Sequence, residues 1–529
     1  QLPHHEGVSL DNVRKLLGMP PKTTPYNLFK GLHWNQMSPD TQNQVARGAE
    51  DEVESIWALF KHFGKEFPAE EYEVLDEVIR MFVEPRLEAD VELLAKIWED
   101  ENAAKSARMA ALAVDVSDLQ SSDRFADLLR AEGVEPERKT SPKGNSIYAF
   151  AKTDDFMRDL LDDANDRVRT LAEARLGAKS TILQTRAETL GFMALRNGAD
   201  APQTPLCVYL RYCGASTLRP TGGDDTNFLN MKRQSPIRKT LLAPKGYLLA
   251  PVDASQIECR VLCHLAGQTD MIEKFTRGED PYVGLASLAY EERIYKAGKD
   301  DPRKDEMEAK RGMGKQGELM CGYGASWKQF KITAKNGLYG PPVDLSDAQA
   351  QKFVTTYRDT HEAVCARNTG YWAQAERMIA RLAGGPPLDW GPLHVRDHRI
   401  YLPSGLCMNY ESLEFHRPDG DEEVRDFERD GYWRLRTRRG WKKMWGSKLT
   451  QNICEAVSRV IVSQALIRIR RLGFRVLNWP YDELLVLIPI DGREKQHLEM
   501  CLTEMRKTPD WLSGLPLDAE GHLGERYSK

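Results

Sequence analysis

Several features that would fix a function class are missing from this sequence. No stretch of the 529 residues approaches the roughly 18 uninterrupted apolar positions of a membrane-spanning helix, so we expect a soluble protein with no membrane partner. The nine cysteines show no C-x-x-C spacing, so neither a zinc site nor a disulfide framework is supported. We therefore expect reduced thiols and a cytoplasmic location.

The sequence also lacks an excess of charge of either sign. Its 74 Lys and Arg residues nearly balance 79 Asp and Glu residues, giving a net charge of −5, so the whole chain would not attract a polyanion. Any nucleic-acid site must therefore be built from a local cluster of cations. The chain begins with Gln and shows no signal-peptide pattern, so we interpret it as a fragment or processed product rather than a secreted precursor.

Length and periodicity predict an α+β protein with several subdomains. At 529 residues the chain exceeds the size at which one core stops growing. Helical periodicity is clear in "SPDTQNQVARGAEDEVESIWALF" and continues to about residue 205. Strand patterns follow at "GYLLAPVDAS" and again at "HRIYLPSGLCMNY", with a long helical insertion between them. A last long helix is predicted over "SKLTQNICEAVSRVIVSQALIRIRRLG".

Two adjacent acids, Asp482 and Glu483, stand in the stretch "NWPYDELLVLIP". The surrounding sequence predicts strand, turn and strand, with Pro480 in the turn and a second strand that is apolar from Leu484 to Ile488. One interpretation is a hairpin whose turn happens to be acidic. However, a carboxylate at the edge of a buried strand is costly unless a cation compensates its charge.

A third acid, Asp253, ends the apolar strand in "YLLAPVDASQIECRVLCHLAG". Ser255 and Glu258 match the S-x-x-E capping box, so both could simply begin the following helix. The cap does not explain Asp253. Carboxylates at the ends of two separate strands suit a pair of Mg²⁺ ions, which prefer carboxylate oxygens and leave room for substrate phosphates.

Cations and an aromatic residue recur every four positions in "KRGMGKQGELMCGYG". Arg311, Lys315, Leu319 and Tyr323 would lie on one stripe of a helix. Two cations followed by an aromatic ring fit a nucleoside triphosphate, with the cations on the phosphates and Tyr323 near the base. A solvated basic helix face that ends at a Gly-rich stop is the alternative.

Two further basic segments are candidates for polyanion binding. The segment "WRLRTRRGWKKMWGSK" interleaves three tryptophans with seven cations, which are Arg434, Arg436, Arg438, Arg439, Lys442, Lys443 and Lys448. Phosphate binding depends on such local cations, although a solvated charged hairpin would look the same. A smaller patch, "ARLGAKSTILQTR", carries Lys179 and Arg186.

Taken together, these segments resemble the family A, polymerase I-like DNA polymerases, and especially their phage-type branch. The likeness is carried by "DASQIECR", by the Arg, Lys and Tyr-Gly positions across 311–324, and by "YDE" at 481–483, in the family's order and spacing. "ARLGAKST", "GASTLRPTGGDDTNFLN", "YLPSG" and "GSKLTQNICEAVSR" extend it from about residue 125 to the end. The resemblance implies a right-handed palm, fingers and thumb with an antiparallel palm sheet.

The resemblance also implies roles for individual residues. Asp253, Asp482 and the Ala254 carbonyl would hold two Mg²⁺ ions, for which Mn²⁺ could substitute. Lys315 is similar to the family's phosphate-neutralising lysine and general acid, and Glu258 is similar to the residue that excludes a ribose hydroxyl. The implied dNTP-binding set is Arg311, Lys315, Leu319, Tyr323, Glu258, Ser255 and Gln256, supported near the metals by Glu483 and Tyr481. Implied contacts with primer-template DNA are Arg219, Asn230, Gln451, Lys443, Lys179 and Arg186.

The sequence departs from the family pattern at several positions. Leu319 replaces an aromatic residue, Tyr481 replaces His, and Leu218 replaces the glycine before Arg219. Residues 1–64 resemble the last third of a 3′→5′ exonuclease domain, in which Asp51 matches the final acid of a Tyr-x-x-x-Asp motif but Arg47 replaces the tyrosine. Asp51 could equally be an exposed acid on a polar helix face. We therefore expect no working proofreading in this chain.

These observations predict five segments and one main function. The segments are an exonuclease-like remnant (1–64), a helical thumb (65–205), the first part of the palm (206–265), the fingers (266–395) and the second part of the palm (396–529). The expected function is primer extension with dNTPs, as in phage DNA replication in a bacterial cytoplasm, by a monomer that a separate exonuclease polypeptide or processivity factor could assist. A single-subunit RNA polymerase and a repair or gap-filling DNA polymerase are the alternatives.

Overall fold

In the computed structural model, helices surround several antiparallel sheets, which confirms the α+β class. The model describes residues 9–528 except for positions 23, 30–31, 33, 142–144, 152–153, 162, 180–181, 197, 199, 224–225, 232–234, 419–427 and 438–439. Within this part of the chain, no helix combines the length and apolarity needed to cross a bilayer. All nine cysteines are free thiols, as their spacing predicted.

The first 205 residues are mostly helical, as their periodicity predicted. Helix α2 (Pro39–Phe63) begins where the Ser38 side chain accepts a hydrogen bond from the Thr41 N–H. The helical region is interrupted where strands β2 (Arg138–Thr140) and β3 (Ser146–Tyr148) pair as a short hairpin. The bounds are α1 Leu10–Leu16, α3 Ala69–Val83, α4 Val91–Leu112, α5 Val116–Gln120, α6 Ser122–Ala131, α7 Asp155–Leu161, α8 Asp166–Lys179 and α9 Ile182–Ala194, with β1 Glu88–Ala89, β2 Arg138–Thr140, β3 Ser146–Tyr148, β4 Leu210–Arg211 and β5 Thr221–Gly222.

A four-stranded antiparallel sheet lies at the centre of the largest core. Its order is β15-β16-β7-β17, so strands far apart in the sequence become neighbours. Strand β16 is buried from Glu483 through Ile488, which confirms the burial predicted from its unbroken apolar run. The strand bounds are β6 Leu241–Leu242, β7 Tyr247–Ala254, β15 Arg475–Asn478, β16 Glu483–Pro489 and β17 Ala519–Gly521, and β6 pairs with β1 outside this sheet.

The long insertion between β7 and β15 is helical at first and then forms two smaller sheets. The helices are α10 Ile257–Ala266, α11 Thr269–Thr276, α12 Pro281–Tyr290, α13 Lys304–Cys321, α14 Trp327–Lys335, α15 Asp347–Thr360, α16 Glu362–Cys365 and α17 Tyr371–Leu382. The first small sheet contains β8 Leu388–Trp390, β9 Leu393–Arg396, β10 Arg399–Tyr401 and β11 Cys407–Asn409. The second contains β12 Leu413–His416, β13 Tyr432–Thr437 and β14 Gly440–Met444.

Helix α18 (Gly446–Arg471) connects these parts. It contacts α10, α17, α3 and β15 as well as α19 (Glu494–Arg506). Its predicted apolar face is buried, since Leu449, Ile453, Val457, Val460 and Ile461 all belong to the largest core. A separate smaller core forms within residues 112–178, and another lies between α12, α13, α14 and α15. Helix α18 therefore packs against elements from widely separated parts of the chain.

Candidate active site

Asp253 and Asp482 meet at one end of the central sheet. Asp253 lies near the end of β7, and Asp482 lies in the turn that precedes β16. The Ala254 N–H donates a hydrogen bond of 2.8 Å to the Asp482 carbonyl, which ties the two segments together. Both acids line a cavity of about 880 Å³. Enclosure by the surrounding protein, followed by the charge of Asp253, raises the pKa of Asp482.

This acid pair fits a divalent cation whose remaining ligands come from the substrate. Two neighbouring carboxylates repel each other unless positive charge lies between them, and this repulsion adds to the larger effect of burial in raising the pKa of Asp482. Within the described residues, no group of three or more His, Cys, Asp and Glu is placed to hold a metal ion. Mg²⁺ characteristically takes only one or two carboxylates and fills its other positions with water and phosphate oxygens. The donors and the space therefore suit Mg²⁺ bound together with a phosphate substrate.

Glu483 is held by two partners that the sequence did not suggest. Its buried carboxylate accepts a hydrogen bond of 3.0 Å from Arg238 Nη2 and another from the Tyr527 hydroxyl. The Arg238 guanidinium also lies 3.6 Å from the centre of the Tyr527 ring. No local spacing could reveal this group, because its members come from three distant segments. Glu483 consequently braces the turn that carries Asp482.

The predicted stripe of cations on α13 faces the same cavity. Arg311, Lys315, Leu319 and Tyr323 all line it, together with the two acids. The helix ends at Cys321, so Tyr323 lies in the following turn rather than on the helical stripe itself. Close packing of α13 on α12 needs Gly314, where an added Cβ would lie 1.9 Å from the Tyr282 carbonyl oxygen.

Arg311 already has an internal partner within this cavity. Its Nε and Nη2 lie 2.7 and 2.6 Å from Oδ2 of Asp280, and its guanidinium lies 5.2 Å from the centre of the Tyr282 ring. Asp280 also caps α12 by accepting a hydrogen bond from the Tyr282 N–H. Sequence reasoning missed Asp280. Any phosphate that binds Arg311 must share it with this carboxylate or displace it.

The capping-box interpretation of Ser255 and Glu258 is wrong. Helix α10 begins after Gln256, which has a left-handed backbone with φ of 48°, and no side chain caps it. Glu258 instead accepts hydrogen bonds of 3.0 Å from the Tyr323 hydroxyl and 3.1 Å from Arg219 Nη1. Burial raises the pKa of Glu258, although Arg219 opposes that effect. Glu258 thus faces the predicted nucleotide site.

Ser255 and Gln256 also line the cavity, next to Asp253. The Ser255 N–H donates a hydrogen bond of 2.9 Å to the Asp518 carbonyl. The Gln256 side-chain oxygen accepts one of 3.1 Å from Arg260. Both positions are therefore fixed by the backbone and side chains around the end of β7.

Several predicted DNA-contact residues cluster beside the acids. The Tyr481 hydroxyl donates a hydrogen bond of 3.3 Å to Asn230 Oδ1, and the Arg219 guanidinium lies 5.2 Å from the centre of the Tyr481 ring. Arg186 Nη1 donates to the Asn230 carbonyl at 3.3 Å. Leu218 has φ of 64°, which suits the glycine that is usual before Arg219. The side chain of Lys179 lies outside the described part of the chain.

Gln451 and Lys443 line a second cavity of about 920 Å³. This cavity shares four lining residues, Leu319, Tyr323, Tyr339 and Gln451, with the first one. Its walls are rich in aromatic rings, including Phe415, Trp433 and Trp445 from the sheet of β12 to β14 and the residue after it. The predicted cationic hairpin is formed by β13 and β14, and Lys443 pairs at 2.8 Å with Glu428. Arg438 and Arg439 lie outside the described residues.

Asp51 is not part of either cavity. It lies on α2 and forms an ion pair of 2.7 Å with Arg14, which holds the pKa of Asp51 below its usual value through a hydrogen bond. Arg47, where the predicted motif has a tyrosine, is exposed on the same helix. The structure therefore places Asp51 in a local ion pair rather than beside other acids of a site.

Comparison with known proteins gives one family match and several similar polymerases. Residues 226–379 match the model of DNA polymerase family A. The chain is 25% identical over 311 residues to a DNA polymerase of Bacillus phage SP02, covering 55% of this chain and 43% of that protein, so it spans less than half of that relative's length. It is also 40% identical over 70 residues to thermostable DNA polymerase I of Thermus aquaticus, covering 12% of this chain and 8% of that one.

The fold agrees with these matches. The POL domain of Pol1 from M. smegmatis, solved in complex with DNA primer-template and dNTP, superposes with a TM-score of 0.65 at 16% identity, covering 98% of this chain and 79% of that one. The family match includes Asp253, Glu258 and the whole of α13, which carry the cavity described above. Residues 226–379, which carry part of the candidate site, are therefore similar to DNA polymerase family A.

Proposed function

We propose that this chain is a template-directed DNA polymerase, which extends the 3′-hydroxyl of a primer with dNTPs. The observation that carries the proposal is a single cavity in which Asp253 and Asp482 face Arg311, Lys315 and Tyr323. The acids at the end of the central sheet can hold cations for a triphosphate, while the basic side chains of α13 bind its oxygens directly. The match of residues 226–379 to the model of DNA polymerase family A and the similarity to a phage DNA polymerase support the same assignment.

The fold is divided in this proposal as the motifs suggested. Residues 206–265 and 396–529 form the palm around the central sheet, residues 266–395 form the fingers, and residues 65–205 form the thumb. Support comes from the sheet order, in which β7 pairs with both β16 and β17 after the helical insertion. Residues 1–64 are assigned to the exonuclease-like remnant.

Asp253, Asp482 and the Ala254 carbonyl would hold two Mg²⁺ ions, with Mn²⁺ as a substitute. When bound, these ions would activate the primer hydroxyl and neutralise the triphosphate and the leaving pyrophosphate. Glu483, fixed by Arg238 and Tyr527, keeps the turn of Asp482 in place. Tyr481, with its left-handed φ of 59°, begins the same turn.

The cations and the sugar-facing residues would complete the nucleotide site. Arg311 exchanges Asp280 for the γ-phosphate, and Lys315 Nζ binds the phosphates and gives a proton to the leaving group. Glu258, held by Tyr323, closes the space where a 2′-hydroxyl would lie, and Leu319 lies along the sugar. Ser255 and Gln256 would line the phosphate side of this site.

Primer-template DNA would bind along the predicted DNA-contact residues. Arg219, Asn230 and Gln451 are proposed to contact the minor groove, where hydrogen-bond acceptors recur in every base pair. Lys179 and Arg186 would contact the backbone from the thumb. Lys443 and the aromatic cavity beside it would take the template strand, because stacking on rings tolerates any sequence.

Phage DNA replication without proofreading is the proposed setting. A DNA polymerase of a Bacillus phage among the relatives supports the setting. The local pairing of Asp51 with Arg14 supports the absence of proofreading, because within the described residues Asp51 belongs to no group of three or more His, Cys, Asp or Glu placed to hold a metal ion. A mismatched primer 3′ end should therefore remain undegraded when the chain is incubated with Mg²⁺ and no dNTPs.

Primer extension with the Asp253→Ala variant tests the main proposal. Loss of a metal-holding carboxylate should reduce dNTP incorporation at least about a thousandfold, because it removes one of the two carboxylates proposed to hold the ions. Glu504→Gln, which removes a carboxylate from an ion pair elsewhere, should leave activity near that of the wild type. Full activity of Asp253→Ala in Mg²⁺ would refute the assignment. A preference for rNTPs over dNTPs would favour a single-subunit RNA polymerase instead.

A further inference from the structure

Glu455 is the single acidic residue of helix α18, whose sequence carries five basic residues. It lies one turn after Gln451 and lines the nucleotide cavity, with 12% of its side chain exposed. A carboxylate in a cavity that should receive DNA and a triphosphate opposes both ligands. Helix formation alone therefore does not explain why Glu455 lies in this cavity.

Both oxygens of Glu455 are fully engaged. Oε2 lies 2.5 Å from Arg219 Nη2 and accepts a hydrogen bond of 3.1 Å from the Thr217 hydroxyl. Oε1 accepts one of 2.9 Å from Gln451 Nε2. Lys448 fixes the orientation of that amide by donating to Gln451 Oε1 at 2.8 Å. Glu455 is consequently held in one position before any substrate arrives.

Arg219 is shared between two carboxylates. Its Nη1 donates to Glu258 Oε1 at 3.1 Å, while its Nη2 pairs with Glu455. Glu258 in turn accepts the Tyr323 hydroxyl through its other oxygen. One ion pair and two hydrogen bonds therefore connect α18 with the turn after α13, through residues that line the nucleotide cavity.

Removing the charge of Glu455 would change this balance. Arg219 would then have one remaining carboxylate partner, Glu258, and an arginine favours a bidentate pair with a single carboxylate. A bidentate pair would draw Glu258 toward Arg219 and away from Tyr323. The space beside the sugar would open, and Arg219 would turn away from the primer end.

We propose that Glu455 is a positioning residue that sets sugar selectivity. It occupies one half of the Arg219 guanidinium, keeps Glu258 against Tyr323 and so maintains the barrier to ribonucleotides. This inference rests on the proposed polymerase function. In this proposal Glu455 acts through Arg219 and Glu258 rather than by contact with the nucleotide or the metals.

Single-nucleotide incorporation on a matched primer-template tests this role. We expect Glu455→Gln, which keeps the shape but removes the charge, to reduce discrimination between dATP and ATP about tenfold. The change should come mainly from a higher kcat/KM for ATP, with kcat for dATP within about threefold of the wild type. Glu455→Asp should restore part of the discrimination, because a carboxylate still reaches toward Arg219.

Glu504→Gln is the matched control. Glu504 of α19 pairs at 2.9 Å with Arg468, which lies on α18 like Glu455, but Glu504 lines neither cavity. It should leave the discrimination ratio unchanged. If Glu455→Gln unfolds, as seen by circular dichroism, Thr217→Val gives the second test. It removes one neutral hydrogen bond from Glu455 and should lower discrimination about twofold.

The inference fails if the wild type incorporates dATP and the folded Glu455→Gln variant has the same discrimination ratio as the wild type. Where Glu455→Gln is unfolded, the inference fails if Thr217→Val has the discrimination ratio of the wild type. It also fails if Glu504→Gln lowers the ratio equally. Absence of incorporation by the folded wild type would instead refute the proposed function. Combining Glu455→Gln with Arg219→Lys adds a further test, because the double variant should lose no more discrimination than the stronger single variant.

Discussion

Helices α2 and α18 have almost the same length, 25 and 26 residues, and both carry apolar residues at helical spacing. Their surroundings are opposite. The residues Val53, Ile56, Trp57 and Phe60 of α2 each expose half or more of their surface, whereas Ile453, Val457 and Val460 of α18 are completely buried. An apolar stripe therefore predicts that a helix forms, but not that the stripe will be covered.

Polar residues sharpen the contrast between these two helices. Arg459 of α18 is buried, and it forms a bidentate ion pair with Glu71 of α3 while its Nε donates to the Leu218 carbonyl at 3.1 Å. Arg14 of α1 and Asp51 of α2 make the comparable pair, but Asp51 is more than a third exposed. Position within the core, rather than residue type, decides how much each pair contributes.

The largest expected effect is on the buried pair of α18. Arg459→Ala leaves Glu71 charged and unpaired, so it should lower the free energy of unfolding by about 3–5 kcal/mol. Urea denaturation of the variant and the wild type measures this loss. A double variant, Arg459→Met with Glu71→Leu, should regain most of it, since no buried charge remains. Equal losses in the single and double variants would contradict the ion-pair explanation.

Truncating the apolar face of α18 should come next. Ile453→Ala creates a cavity in the largest core and should cost about 2–5 kcal/mol of unfolding free energy. The same denaturation experiment measures it. A loss below about 1 kcal/mol would mean that α18 relaxes into the space and is less rigid than its burial indicates.

A pH titration extends the comparison to another buried group. His361 lies 3.4 Å from buried Glu318, and although burial opposes its charge, Glu318 and the Cys263 thiol raise the pKa of His361 to about 10. Its contribution to stability should therefore be complete below about pH 6.5 and be lost as pH rises through about 10. Unfolding free energies between pH 7 and 10.5 should fall, and His361→Asn should flatten that fall. No change across this range would show that His361 is neutral in the folded protein.

The smallest effect is expected on α2. Trp57→Ala removes a large side chain that is already 57% exposed, so the unfolding free energy should change by no more than about 0.5 kcal/mol. Val457→Ala on α18 is the matched comparison and should cost clearly more. If Trp57→Ala were as costly as Val457→Ala, the exposed face of α2 would have to be covered in solution.

Much of the candidate site was predictable because its chemistry recurs in short segments. Asp253 and Asp482 stand at strand ends that apolar runs reveal, and Arg311, Lys315 and Leu319 follow a simple helical spacing. The partners of these residues were not predictable. Arg238 and Glu483 are 245 positions apart, and only the pairing of distant strands and loops brings them together.

Local sequence was also misleading where a short motif had two uses. Ser255 and Glu258 match a capping box, yet Glu258 is used by Arg219 and Tyr323, which approach from other elements. Asp280 of the loop before α12 similarly pairs with Arg311, although the sequence around either residue does not indicate this pair. Competition between local and distant partners is settled by the packing of the core, which a single segment does not contain.

The sequence by itself determined the α+β class, the long helices, the buried strands and the order of the acidic and basic motifs, because period and residue chemistry are local properties. Only the tertiary structure decided which apolar stripe is covered, which cation each carboxylate holds and how Glu455 shares Arg219 with Glu258. These outcomes depend on contacts between residues far apart in the chain. Burial gives those contacts their strength, and burial is a property of the whole fold.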